Sequence, residues 1–462
     1  MRHVNIQNFC LLGLTMASAG VSAQEVGNPR DMNLQQQTFR MPDTASARVY
    51  LENGLNAFII EDRRAPVVSF TMFVRGGTSD DRVEGAAEML ALMLATRGPC
   101  WMAPGRFRET IDEMGAEFVV TMDSEFTEVN LNVAAEDARR ALRIFSGIVR
   151  EPCIDPQGLD SFRAAVARSN QSSTPSGGEY EGSLDTALDL FYERLFGAHP
   201  YGHTVTVAEA EALVFEDVEQ FYTEHVNPLN ISIAVAGDFD VNEMLRDVDQ
   251  RFADWAQQRP PTFHGVEPLS ETDALGKYGF PADKLQTWIV VGHGLPPIDP
   301  IDRPALEVMN YILGGGHFDT RLFREARDRR GLTNDVSGVL DFNLRGPGAY
   351  TFRTYGRPEV AQELIDIVVG EIARMQNDLV TQEELFVARG ALSDGDFAMR
   401  FENGHVATRT FAREWARYGT FIHLAEYQER IRSVSAEDVL EAARRYLDPN
   451  RLLIVTLGPT AG

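Results

Sequence analysis

The chain has 462 residues, of which 44% are hydrophobic and 24% are charged, so it has the composition of an ordinary globular protein with room for two or three domains. Its 68 acidic and 43 basic side chains give a formal net charge of −25. This charge argues against nucleic acids and anionic lipid surfaces as partners. It fits either plain solubility or a cationic partner or peptide.

The N-terminus is typical of a secretory signal peptide. Arg2 supplies a positive start, residues 9–20 form a short apolar run, and Val21-Ser22-Ala23 is a small-residue cleavage pattern. We therefore expect cleavage after about Ala23 and a periplasmic or secreted protein. The apolar run is too short to span a bilayer, and no later run reaches the ~18 apolar residues of a transmembrane helix, so we expect no membrane span.

Two cysteines, Cys100 and Cys153, remain after such a cleavage. In an oxidising compartment they could form a disulfide. Both would also be at home as small buried hydrophobic side chains, and their spacing does not decide between the two interpretations.

The first half of the chain predicts a mixture of strands and helices. Residues 24–46 are rich in Gln and Asn without a period, which is typical of a tail, and order begins near Ala47. Asn53-Gly54 between two apolar runs predicts a β-hairpin over 49–60, and the alternation from Val68 to Arg75 predicts a strand. The further predicted elements are a buried helix over 85–98, a helix over 105–114, strands over 116–122 and 127–133, helices over much of 136–196 and 216–225, and a strand over 231–236.

A segment rich in Pro, Gln and Thr follows, and we interpret residues 256–276 as a linker. Regular patterns then resume. The elements predicted beyond the linker are strands over 287–291, 333–341, 349–355 and 452–457, and helices over 300–313, 320–329 and much of 358–446.

Two groups of residues recur in the second half with the same internal spacing. One is Phe107-Arg108-Glu109 with Asp112 and Gly115, repeated as Phe323-Arg324-Glu325 with Asp328 and Gly331. The other is Glu216-Asp217-Val218 with Pro228, Ile233 and Gly237, repeated as Glu437-Asp438-Val439 with Pro449, Ile454 and Gly458. We therefore predict an α+β fold made by tandem duplication of one α/β-roll domain of about 200 residues. The two copies would be residues 47–255 and 277–460, facing each other as a half-shell.

The order of several motifs over residues 47–460 resembles the pitrilysin/insulinase family of inverted-zincin metallopeptidases. That family includes the mitochondrial processing peptidase subunits and similar bacterial proteins. The motifs are an Asn-Gly-Leu hairpin, Val74-Arg75-Gly76-Gly77, a Gly-Ala-Ala helix start at Gly85, His199-Pro200-Tyr201-Gly202, Leu313-Gly314-Gly315-Gly316 and Arg321-Leu322-Phe323.

The resemblance places the family's zinc motif, His-x-x-Glu-His, on the buried helix over 85–98. In that motif the two histidines lie on one helix face as ligands and the Glu is the general base. The corresponding positions here are Glu88, Ala91 and Leu92, and the family's third ligand, a Glu, falls at about Arg168 or Ser169. One carboxylate among these side chains does not hold zinc, so we expect no cofactor in this chain.

Two interpretations of Glu88 stay open. It is either a remnant polar group that faces the former site or a first-turn helix acid, favoured by the helix dipole, that reaches solvent.

Other catalytic signatures are absent from the sequence. His199 and His203 are four residues apart, but Pro200 and Gly202 favour a turn between them. There is no Gly-x-Ser-x-Gly, no phosphate-binding loop and no Cys-x-x-Cys.

The resemblance also implies a substrate-handling role for a Gly-rich loop and for an Arg–Tyr pair in the second half. The loop is Gly314, Gly315 and Gly316, and its other interpretation is a tight turn between helices. The pair corresponds to Arg327 and Asn334, so the guanidinium is kept and the phenol is lost. Arg327 also lies in a run of bases that would form an ordinary solvated face.

From these residues we expect a non-catalytic subunit of a heterodimeric zinc peptidase. The zinc would be in a homologous partner subunit, and this chain would complete the chamber and help to bind the peptide substrate. The alternative is a stand-alone or assembly-bound structural protein of the same fold.

Overall fold

The structure is a computed structural model that describes residues 39–172, 180–197, 199–259, 261–269, 275–282 and 284–459. The predicted signal peptide and most of the predicted tail lie outside the described residues. In the described part, no helix combines the length and the apolar character needed to cross a membrane.

Eleven strands of the described residues form two sheets. In the first sheet the order is β1-β2-β6-β3-β5-β4, and in the second it is β7-β11-β8-β10-β9. The strands are β1 (Arg48–Tyr50), β2 (Asn56–Glu61), β3 (Val67–Arg75), β4 (Glu117–Met122), β5 (Phe126–Ala134), β6 (Ile231–Gly237), β7 (Gly276–Pro281), β8 (Thr287–Leu295), β9 (Val336–Asp341), β10 (Gly348–Gly356) and β11 (Leu453–Gly458).

The two sheets share one topology. If β1 is set aside, each sheet has its first strand in the chain at one edge, followed by its last, second, fourth and third strands. Each sheet also has one parallel pair, β2 with β6 and β7 with β11. All other neighbouring strands are antiparallel. Helices and sheets together give the predicted α+β class, and the shared topology is what a duplicated domain would have.

Helices cover these sheets and connect their strands. They are α1 (Thr44–Ala47), α2 (Ala86–Arg97), α3 (Pro104–Glu113), α4 (Ala138–Arg150), α5 (Pro156–Ser172), α6 (Leu184–Phe196), α7 (Val207–Ala212), α8 (Phe215–His225), α9 (Val241–Phe252), α10 (Arg303–Asn310), α11 (Arg321–Phe323), α12 (Ala361–Asn377), α13 (Gln382–Gly390), α14 (Phe397–Met399), α15 (Gly404–Tyr418), α16 (Ile422–Ser433) and α17 (Ala436–Tyr446).

Three of the helices pass into wider π-helical turns. These are Tyr311–Gly315 after α10, Arg324–Arg329 after α11 and Ala391–Asp396 after α13. The helix predicted over 300–313 is therefore shorter as an α-helix: it ends at Asn310, and the π-helical turn continues to Gly315. Strand β7 was not predicted, because a short exposed edge strand gives a weak apolar pattern. Helix α9 was also not predicted, although Val241, Met244 and Val248 follow the helical i, i+3, i+7 spacing and its signal was therefore present in the sequence.

Each sheet is covered on one face by a helix from the other half of the chain. Helix α15 lies on β2, β6 and β3, where Phe411 and Ala412 are fully buried. Helix α6 lies on β8 and β11 of the second sheet and buries Phe191 there. The two halves are therefore interleaved, because the core of each sheet contains side chains from both.

A buried polar cluster also joins the halves, at the loop between β9 and β10. The Glu125 carboxylate, only 4% exposed, accepts hydrogen bonds from the backbone amides of Leu344 and Arg345, both at 2.7 Å, and from the Tyr201 hydroxyl at 2.6 Å. The Arg345 guanidinium donates to both carboxylate oxygens of Asp80, at 2.6 and 2.8 Å. We call these residues the Glu125 cluster.

Candidate functional site

Helix α2 is the buried helix that the sequence predicts, and its start is fixed by local chemistry. Gly85 has φ 93°, in the left-handed region that glycine favours. The Asp81 carboxylate accepts hydrogen bonds from the backbone amides of Gly85 and Ala87, both at 2.8 Å. These bonds satisfy two of the amides that a helix N-terminus leaves without partners. Met89 and Met93, almost fully buried, anchor the helix in the core of the first half.

Glu88, Ala91 and Leu92 lie on one face of α2, as their spacing requires, and all three are half-buried. Burial raises the pKa of the Glu88 carboxyl, His203 opposes that shift and Glu84 adds to it. Glu88 is thus in the first turn, as one interpretation requires, but it is not a fully solvated acid. The other two side chains offer only a methyl and an isobutyl group.

His203 is the polar neighbour of this face that sequence reasoning missed. Its Nε2 lies 3.2 Å from Glu209 Oε2 and 3.5 Å from Glu84 Oε2. Glu209 in turn caps helix α7, where hydrogen bonds from Thr206 lower the pKa of its carboxyl. The imidazole is therefore held by the acids around it. The signal for it was present in His199-Pro200-Tyr201-Gly202-His203, but nothing in that stretch indicates which helix it approaches.

The residues at this face do not fit a zinc ion. Zinc needs three nitrogen, oxygen or sulfur donors from the protein, and the three motif positions supply one carboxylate. Arg168, on helix α5, is exposed and cationic, and the side chain of Ser169 lies outside the described residues. Among the residues that the structure describes, no group of three or more His, Cys, Asp or Glu side chains is arranged to hold a metal ion.

The edge of the first sheet beside α2 is open. Strand β4 pairs with β5 on one side and, within the described residues, with no strand on the other. Its side chains alternate between exposed and half-buried, with Phe118 and Val120 turned towards the core that contains α2. A row of unpaired backbone groups therefore runs next to α2.

The three glycines of the Gly-rich loop have structural reasons to be glycines. A Cβ on Gly314 would lie 2.7 Å from the backbone nitrogen of Gly338 in β9, and one on Gly316 would lie 2.6 Å from the carbonyl oxygen of Tyr311. A Cβ on Gly315 would meet the side-chain amide of Asn310 at 2.5 Å. The loop is a π-helical end of α10 packed tightly on the second sheet, so it is neither a free loop nor a simple turn.

Arg327 differs from the other bases around it. Its guanidinium lies over the rings of Phe323 and Phe318, at 4.6 and 5.7 Å from the ring centroids. No carboxylate of the described residues lies within ion-pair distance of it, whereas each of the other bases in the run, Arg324, Arg329 and Arg330, has at least one acidic partner. Asn334 is exposed in the bend before β9.

His199 and His203 are in a turn, as their sequence indicates. The His199 Nδ1 accepts a hydrogen bond from the backbone amide of Tyr201, two residues on. Its Nε2 lies 2.7 Å from the carbonyl oxygen of Glu267, so the turn contacts the linker instead of forming a ligand pair. Cys100 and Cys153 are both free thiols, and Cys100 is exposed rather than buried.

Comparisons with known proteins match most of the chain to the family that its sequence motifs resemble. Residues 57–175 match a family model described as Insulinase (Peptidase family M16), and residues 212–392 match one described as Peptidase M16 inactive domain. An uncharacterized zinc protease of Mycobacterium leprae is 28% identical over 433 residues, which are 90% of this chain and 92% of the relative.

Two further proteins are similar over a comparable length. The mitochondrial-processing peptidase subunit beta of Pongo abelii is 20% identical over 429 residues, 88% of this chain and 83% of that protein. A crystal structure of a peptidase M16 inactive domain from Pseudomonas fluorescens superposes with a TM-score of 0.74 at 21% identity, over 92% of this chain and 99% of that one.

Proposed function

Because the chain belongs to peptidase family M16, the pitrilysin/insulinase family, we propose that it is a non-catalytic subunit of a heterodimeric zinc peptidase. It completes the substrate chamber and helps to bind the peptide, and a homologous partner supplies the zinc and cleaves the bond. The observation that carries the proposal is helix α2, which keeps its place in the core but has Glu88, Ala91 and Leu92 where the family has its ligands and base.

Two features support a role in peptide binding. The open edge of β4 offers backbone amides and carbonyls to an extended peptide, a recognition mode that uses main-chain hydrogen bonds. Arg327, whose guanidinium lies near two aromatic rings and has no acidic partner in the described residues, is available to hydrogen-bond a peptide carbonyl or carboxylate. A peptide enclosed between two such chains is positioned and shielded from water.

The subunit role and the location are parts of the same proposal. One relative over most of the chain is named a subunit, which supports assembly with a second chain. The signal-like residues before Ala23 support a periplasmic or secreted protein.

The experiment has three measurements on the full chain: its zinc content, its association with a homologous chain that has an intact His-x-x-Glu-His, and peptide cleavage by each chain and by the mixture. We expect no stoichiometric zinc, a stable complex, and cleavage that is much faster for the mixture than for the zinc-bearing chain alone. Stoichiometric zinc together with peptidase activity of this chain would contradict the proposal. If the two chains form no complex and cleavage does not change, the subunit role is wrong and the structural role remains as the function.

Arg327 gives the matched test of peptide binding. We expect Arg327→Ala to lower the kcat/KM of the pair about tenfold through KM, because one charged hydrogen bond to substrate is lost. Arg329→Ala, which removes a neighbouring base that pairs with Glu325, serves as the control and should leave kcat/KM unchanged. Equal effects of both variants would remove Arg327 from the substrate site.

A further inference from the structure

Helix α15 carries a row of bases that the proposed chemistry does not use. His405, Arg409, Arg413 and Arg417 are spaced every fourth residue, so they lie along one flank of the helix. The face of α15 beside this flank is buried on the first sheet, and its contacts are with β2, β6 and β3. The flank therefore borders β5 and the edge strand β4. We call Arg409, Arg413 and Arg417 the basic flank.

One buried carboxylate neutralises only part of the basic flank. Glu128 of β5, which is 8% exposed, accepts hydrogen bonds from Arg409 at both of its oxygens. The same carboxylate lies 3.3 Å from Arg413. Arg417 lies over the ring of Phe126, 5.3 Å from its centroid, and within the described part of the chain it has no carboxylate at ion-pair distance. Positive charge thus remains at the Arg413 and Arg417 end.

The neighbouring surface is open and polar. The register pairs Thr121 with Glu128 and Val119 with Asn130, so these four side chains share the sheet face that borders the basic flank. Val119 is 41% exposed, and Thr121 is exposed as well. The acid at the far end is Glu117, which hydrogen-bonds Asn132 and lies nearer His405. We call this surface, from the exposed face of β4 and β5 to the basic flank beside it, the trough.

The electrostatic environment agrees with an excess of positive charge in this trough. Burial, Arg409 and Arg417 lower the pKa of the Arg413 guanidinium, and Glu128 only partly offsets them. Burial followed by Arg409 lowers the pKa of His405, which keeps that imidazole neutral at pH 7. An anion placed between Arg413 and Arg417 would relieve this repulsion.

We propose that the trough between the basic flank and the exposed face of β4 and β5 binds a peptide segment rich in Asp and Glu. Its carboxylates would lie against Arg413 and Arg417 and its backbone along the edge of the first sheet. The inference rests on the proposed function and names the substrate class. An acidic peptide is the opposite of the cationic peptide that the net charge of −25 suggests. Local guanidinium groups at contact distance outweigh the long-range field of the whole chain, because salt screens that field.

The test measures binding of short fluorescent peptides to the isolated full chain by anisotropy. A Glu-rich peptide is compared with Gln and Lys counterparts of the same length. We expect the Glu peptide to bind more tightly than either, and added salt to weaken it. Arg413→Gln/Arg417→Gln should weaken it about tenfold, since two partly exposed charge contacts are lost. The control is Arg357→Gln, a change at an exposed arginine before α12, and it should have no effect.

The single variant Arg417→Glu covers the case in which the double variant does not fold, because Arg417 has no ion pair to lose within the described residues. Unchanged binding of the Glu peptide by folded Arg417→Glu would overturn the inference, and so would equal binding of the Lys peptide. An oligonucleotide that binds as tightly as the Glu peptide would also overturn the inference, because the site would then bind any polyanion and would not select a peptide.

The partner-dependent arm separates this inference from the proposed function. If the chain accelerates cleavage of Glu and Lys peptides by its partner equally, the subunit role stands and the charge selection is wrong. If it accelerates neither but binds the Glu peptide through Arg413 and Arg417, the trough stands and the subunit role is wrong.

Discussion

The Glu125 cluster provides the sharpest test of how the two halves are held together. The substitution is Glu125→Gln, which changes one oxygen of a buried carboxylate into an NH2 group and leaves the volume unchanged. Oε1 accepts from the amide of Arg345 and from the Tyr201 hydroxyl, and Oε2 accepts from the amide of Leu344. A glutamine oxygen can replace only one of these two acceptors.

The magnitude follows from the bonds that cannot be remade. With its oxygen at the Oε1 position, glutamine places its NH2 against the amide of Leu344, and that buried donor loses its acceptor at about 1–3 kcal/mol. The two remaining hydrogen bonds are no longer charge-assisted, and Arg345 loses an acid 3.6 Å away while it keeps Asp80. We expect the free energy of unfolding to fall by about 3 kcal/mol.

The assay is urea unfolding at pH 7, followed by far-UV circular dichroism and by tryptophan fluorescence. The matched control is Glu117→Gln, because Glu117 is an exposed acid at the start of β4, and its carboxylate accepts one hydrogen bond from the side-chain amide of Asn132 at 3.1 Å. It should change the unfolding free energy by less than about 0.5 kcal/mol. A loss below about 1 kcal/mol for Glu125→Gln would refute the view that this cluster stabilises the junction.

Three further outcomes are expected. Burial opposes the shift, but hydrogen bonds from Arg321 and from the backbone at the helix start lower the pKa of Glu384 to about 2 from 4.5. Because the folded value is the lower one, Glu384→Gln should cost about 3 kcal/mol at pH 7, and the difference should disappear as the pH falls from about 4.5 to 2 in pH-dependent unfolding. Gly314→Ala should lower the melting temperature, because the new Cβ would meet a backbone atom of β9. The control is Gly370→Ala, whose Cβ would have no atom within 4 Å and which should raise the melting temperature. Equal shifts for both variants would contradict the close contact at Gly314. A fragment of residues 39–255 should lack cooperative unfolding when expressed alone, because its sheet then loses α15. Co-expression with the rest of the chain should restore cooperative unfolding. A fragment that unfolds cooperatively by itself would show that the first sheet does not need α15.

Much of the candidate site could be predicted because its signals are local. The apolar run around Met89 predicts α2 as a buried helix, and the spacing of Glu88, Ala91 and Leu92 then places them on one face. His203 could not be placed beside that face, since its approach depends on how two distant segments pack. The position of Arg327 over two aromatic rings could not be predicted either, because the sequence shows only a run of bases.

The sequence by itself determined most of the elements and the α+β class, and it placed Glu88, Ala91 and Leu92 on one face of α2, because periodicity and side-chain chemistry are properties of neighbouring residues. Only the tertiary structure decided which helix covers which sheet, why Gly314 has no room for a side chain, and where positive charge collects in an acidic chain. These outcomes depend on contacts between residues hundreds of positions apart, such as Arg409 with Glu128. No pattern within one segment encodes such contacts, so the interleaving of α6 and α15 and the trough beside β4 become visible only in the packed molecule.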